Sequence, residues 1–69
     1  MENVEFKDII NEIMGEEGLN QEEMAKKLGI KQGHLSDWAR GHSKPSYDHL
    51  RNICLKLNIS GDRLLGIDD

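Results

Sequence analysis

Between Asn20 and Gly41 the chain reads NQEEMAKKLGIKQGHLSDWARG, two short helical periods on either side of a single glycine, Gly29. That arrangement limits the fold more than any other feature. Asn20 is a good N-cap, and Glu23 stands three residues later, where a capping box wants an acid. Leu19 and Met24 occupy the two positions of a hydrophobic staple across that start. Met24, Ala25 and Leu28 make a narrow apolar face of about two turns, and Gly29 supplies the left-handed residue that ends it. The period restarts at once. Ile30 and Leu35 staple a further helix, whose inner face continues to Trp38 until Gly41 stops it.

The flanking segments follow the same grammar. Phe6, Ile9, Ile10, Ile13 and Met14 form one apolar stripe, with Gly15 and Gly18 expected to end it. After the loop His42–Pro45, Ser46 caps a fourth helix carrying Leu50, Ile53, Cys54 and Leu57. Asn58 is a C-terminal breaker, Ser60 a new cap, and GDRLLGI a short fifth helix presenting Leu64, Leu65 and Ile67. The expectation is an all-α fold of five short helices without strands. Residues 1–69 form a single domain, because typical domains run to about 100–200 residues. A core this small rarely supplies more than about 3–5 kcal/mol, so dimerisation is a reasonable source of added stability.

Several function classes are disfavoured. Cys54 is the only cysteine, which allows no intramolecular disulfide and no cysteine-based zinc framework, as suits a reducing cytoplasm. No apolar run approaches the roughly 18 residues of a membrane span, and the acidic start is unlike a signal peptide. A cytoplasmic protein without membrane contact is expected. His34, Ser36 and Asp37 are the residue types of a hydrolase triad, but on one short helix they cannot converge on an attacking oxygen. His34, His42 and His49 lack the i, i+4 spacing of helical metal ligands. No enzyme, metal, cofactor or small-molecule substrate is expected.

The net charge of −4 hides an asymmetry. Residues 1–19 hold six acids and one base, whereas residues 20–51 hold four acids, six bases and all three histidines. The acidic side chains Glu2, Glu5, Asp8, Glu12, Glu16 and Glu17 read most simply as a solvated face.

Two helices joined by a three-to-four-residue turn containing glycine are the sequence form of a helix-turn-helix, here over residues 21–40. The unit needs a small residue where the helices touch (Ala25), a turn residue tolerant of positive φ (Gly29) and apolar anchors (Leu35, Trp38). All are in place, and they leave Gln32, His34, Ser36 and Asp37 on the free face.

LNQEEMAKKLGI, LSDWARG, KPS and the closing LNISGDRLLGI resemble the helix-turn-helix domain of phage repressors and Cro (C1-type) proteins, the XRE family, across residues 6 to 67. Gln21, Ala25, Gly29, Leu35, Trp38, Gly41, Pro45 and the Leu64–Leu65 pair match in order. The resemblance implies a lambda-repressor-like DNA-binding domain and a transcriptional regulator, a repressor above all, that binds double-stranded DNA as a homodimer. The helix 32–40 would enter the major groove at a near-palindromic operator. Gln32, Gly33, Ser36 and Asp37 would face bases; a glutamine can pair bidentately with adenine. Gln21, Lys31, His34, Arg40, His42, Ser43 and Lys44 would meet phosphates, which position the domain without reading sequence. Leu64, Leu65 and Ile67 could simply close the core or leave an apolar edge for a second copy; the resemblance, whose members commonly pair through this region, puts the dimer interface first.

Some positions depart from the family. Lys31 stands where Ser or Thr usually caps the recognition helix, and Met14 and Ala39 replace a frequent ion pair with an apolar contact. Gly33 costs roughly 0.8–1.0 kcal/mol against alanine, which close approach to a base would justify. Asp37 sits where the phosphate potential repels a carboxylate. Pairing with Arg40 or His34 is its first explanation, direct readout of cytosine its second, and loss of DNA binding its third. The alternative function is an antitoxin-like or other protein-interaction module, which would call for an extra segment or a large exposed patch and stands second on that account.

Overall fold

The computed structural model describes residues 5–67, and in them the chain is all-helical. Its elements are α1 (Phe6–Glu17), α2 (Gln21–Leu28), α3 (Gln32–Arg40), α4 (Tyr47–Leu57) and α5 (Gly61–Leu65). The expected five helices are present in order. Gly15 lies inside α1 rather than at its end; the left-handed cap is Gly18 alone.

Local chemistry explains the boundaries. Asn20 and Glu23 form a complete capping box, at 2.8 and 3.0 Å. Ser46 and Ser60 accept from the backbone N–H groups of His49 and Arg63, each covering a donor the helix itself cannot satisfy. Lys31 caps α3 without a side-chain bond, so that start lacks the hydroxyl usual at the position. Gly29 ends α2 at φ 72°, and the Ile30 N–H returns to the Ala25 carbonyl. That left-handed turn is what lets α3 begin so soon after α2 ends.

The core draws on every helix. Ile9, Ile10, Ile13 and Met14 of α1 meet Met24, Ala25 and Leu28 of α2, Leu35 and Trp38 of α3, Ile53 of α4 and Leu64 of α5. The α3 contribution follows from the sequence period: Leu35 and Trp38 are three residues apart on one face, fully or nearly fully buried. At about 1.5–3 kcal/mol for burying a large apolar side chain, the two anchors dominate the docking of this short helix.

Single polar contacts then fix the helix pairs. The Asn11 amide donates to the carbonyls of Lys7 (2.8 Å) and Ala39 (3.1 Å), joining α1 to the C-terminal end of α3. The Asn52 amide donates to the Leu28 carbonyl at 2.7 Å, joining α4 to the end of α2. Ala39 and Leu28 each belong to the last turn of a helix, where carbonyls have no intrahelical partner. Arg63 bridges Glu16 (2.7 Å) and Glu12 (3.4 Å), holding α5 against α1. Lys27 meets Glu17 at 2.8 Å. Three acids of α1 are thus engaged by cations, a correction to their reading as a purely solvated face; Glu2 lies outside the described residues.

Candidate nucleic-acid interface

With Leu35 and Trp38 turned inward, α3 leaves Gln32, Gly33, His34, Asp37 and Arg40 exposed. Lys31 immediately precedes them, and His42, Ser43 and Lys44 follow on an exposed loop. The cations Lys31, Arg40 and Lys44 make no ion pair among the described residues, and Asp37 is the only acid between residues 31 and 47. The rim of the protruding helix is therefore cationic in a chain whose net charge is −4.

Gln21, at the first position of α2, is half-buried beside this face. Its Oε1 accepts the Ser36 hydroxyl at 2.6 Å, which couples the two helices of the motif and leaves the amide NH2 free to donate outward. Ser36, grouped with Gln32 as a base reader, is half-buried and donates its hydroxyl hydrogen bond to Gln21, so in the free protein it is a positioning group.

The pairing expected for Asp37 does not form. Its carboxylate makes no ion pair with Arg40 or His34 among the described residues. An i, i+3 pair is worth only about 0.2–0.5 kcal/mol, and the His34 ring lies instead against aromatic neighbours; nothing among the described residues draws Arg40 elsewhere. Its centroid is 6.5 Å from Trp38 and 5.4 Å from His49 of α4. His49 in turn stands 5.1 Å from Trp38, whose other neighbour is Phe6 at 5.9 Å, all edge-on. No sequence spacing linked His34 to His49, because they reside on different helices. The same is true of Asn11 and Ala39. Met14 is buried and Ala39 packs on the core, while the polar join between these helices comes from Asn11.

On α5 and just after it, the three residues assigned to a dimer interface separate. Leu64 is 2% exposed and belongs to the core, a correction that follows from its facing α1 and α4. Leu65, the next residue round the helix, is 59% exposed and Ile67 65%. Tyr47 and Leu55 of α4, which the apolar stripe did not include, are also exposed. With Leu50, Cys54 and Leu65 they border a groove of ≈ 340 Å³ between α4 and α5, with Arg51 at its margin. No group of three His, Cys, Asp or Glu side chains converges as metal ligands would among the described residues. Nor is any described helix long and apolar enough to cross a membrane.

Comparison with known proteins agrees with this geometry. Residues 10–64 match the helix-turn-helix family. The chain is 38% identical over 52 residues to the HTH-type transcriptional regulator ImmR of Bacillus subtilis (strain 168), a match covering 75% of this chain and 41% of that protein. The chain thus spans less than half the length of this relative. No solved structure matches. A family match running from within α1 to within α5, on a chain whose glycine turn, small crossing residue and buried anchors meet the motif's steric demands, establishes that the chain belongs to the XRE-like helix-turn-helix family.

Proposed function

We propose that the domain binds double-stranded DNA sequence-specifically and acts as a transcriptional repressor, with α3 in the major groove. The observation that carries this is the exposed face of α3, rimmed by Lys31, Arg40 and Lys44 without ion-pair partners among the described residues. Gln32, at the exposed start of α3, is the principal reader, since a glutamine fork matches adenine N6 and N7. Gly33 allows close approach beside it, and Asp37, exposed and unpaired with its helix neighbours, is available to accept from cytosine N4. Gln21, Lys31, His34, Arg40, His42, Ser43 and Lys44 grip phosphates on either side.

A symmetric homodimer is part of this proposal. Leu65 and Ile67, with Tyr47, Leu55 and the α4–α5 groove, give each copy an apolar surface suited to a second. Two copies would read half-sites about 34–36 Å apart in a near-palindromic operator. ImmR bears the name of a transcriptional regulator, which accords with this role.

Selection of bound duplexes from random DNA at two salt concentrations tests the reading. A single enriched motif, with affinity falling steeply as salt rises, is expected. Gln32→Ala relaxes preference at one position and leaves the salt slope nearly intact, whereas Lys44→Ala weakens all sequences alike and lowers the slope by about one. Identical behaviour of the two variants would overturn the division into readers and anchors. The same apolar groove favours a second reading, a protein-interaction module. Failure to enrich any duplex, together with a monomer at all concentrations, would support it.

A further inference from the structure

We infer that His49, which lies outside the helix-turn-helix unit, is a positioning residue for DNA binding that acts through His34. The inference rests on the reading of α3 as the DNA-facing helix and adds a residue from α4 to its machinery.

The geometry is a three-ring, edge-on cluster spanning two helices. Trp38 is 3% exposed and fixed by the core. His49 is half-buried with its ring 5.1 Å from Trp38, at an interplanar angle of 71°. His34, on the exposed side, lies 5.4 Å from His49 and 6.5 Å from Trp38. The exposed imidazole is therefore held on two sides by rings that are themselves anchored. Edge-on aromatic pairs of this separation prefer a narrow range of orientations. An exposed histidine without such neighbours samples several rotamers and loses that freedom on meeting a phosphate.

His49 is well placed to be a fixed wall. It lies in the first turn of α4, whose backbone start is capped by Ser46, and its ring rests against the buried Trp38. Neither histidine ring is within ion-pair distance of a carboxylate among the described residues. The ring contacts are then what orients His34.

The test combines a spectroscopic readout on the free protein with a double-mutant cycle on DNA. In His49→Ala the ring protons of His34, displaced by the adjacent aromatic rings, move toward free-histidine values in the NMR spectrum, and in His49→Phe they do not. On the duplex enriched by the wild-type protein, His34→Ala weakens binding by roughly tenfold, the order of one lost hydrogen bond to a charged group. His49→Ala loses most of that factor, His49→Phe restores it, and the double His34→Ala/His49→Ala variant is no weaker than His34→Ala. His34 ring signals that stay in place in His49→Ala, or losses that multiply in the double variant, would overturn the inference. If His49→Ala does not fold, His49→Gln against His49→Phe makes the same comparison. Absence of any enriched duplex with the NMR shifts as expected would instead count against α3 as the DNA-facing helix, and equally against a DNA role for His49.

Discussion

Gly33 and Gly15 both sit inside helices, in ordinary negative-φ conformations, and a Cβ at either would meet no atom within 4 Å. Nothing in the folded chain requires glycine at these two places. Gly15→Ala and Gly33→Ala should therefore each stabilise the fold in urea denaturation, by less than the roughly 0.8–1.0 kcal/mol of a helix interior because both lie in terminal turns. Their effect on DNA should differ: Gly33→Ala, at the proposed interface, weakens duplex binding, and Gly15→Ala leaves it unchanged. Equal affinities would mean that the backbone at Gly33 stays clear of the bases. Gly41 is of another kind. Its φ is 80°, a left-handed conformation that strains any residue with a Cβ, while the Lys7 side chain 3.0 Å from the alanine methyl's place is flexible enough to move aside. Asn52 offers a further residue-level check. Asn52→Ala strips the amide from the Leu28 carbonyl and should cost about 0.5–1.5 kcal/mol by the same denaturation assay.

The helices themselves were legible because their signals are local. Asn20 with Glu23, Ser46, Ser60 and the left-handed Gly29 and Gly41 all act within one turn, and each works as its residue type demands. The contacts that set one helix against another were not legible: Asn11 to Ala39 spans 28 residues and Arg63 to Glu16 spans 47. No periodicity encodes such partners. The Arg63 contact has a measurable acid signature. Its hydrogen bond holds the Glu16 carboxyl below its ordinary value of 4.5. A lowered carboxylate contributes stability that is complete above the ordinary value and is lost as pH falls through the lowered one. Amide exchange in α5 should accordingly speed up, relative to the other helices, as pH falls below the ordinary carboxylate range. In Arg63→Gln that extra acceleration should vanish, while α5 stays anchored by the buried Leu64.

At the scale of the molecule, charge and apolar surface separate. The cationic rim lies along α3 and its following loop, while Tyr47, Leu55, Leu65 and Ile67 expose apolar surface on α4 and around α5. The central excess of bases was visible in the sequence. The groove was not, because Leu55 lies off the apolar stripe of α4 and Leu64 and Leu65 look equivalent until helix phase distinguishes them. Dimerisation through this region predicts that Leu65→Glu sediments as a monomer under conditions where the wild type is a dimer. Its thermal unfolding at low protein concentration should be little changed, since the side chain is 59% exposed within one copy. Affinity for a two-half-site duplex should fall far more than affinity for a single half-site, because linked sites gain from effective concentration.

Trp38 is the only tryptophan in the chain, and it is wedged where Phe6 of α1, His49 of α4 and the underside of α3 meet. The protein thereby carries its own optical gauge of whether α3 is seated. Indole emission should stay at short wavelength while the helix is docked and move to the red once it lifts, so seating can be followed on the undecorated chain in real time.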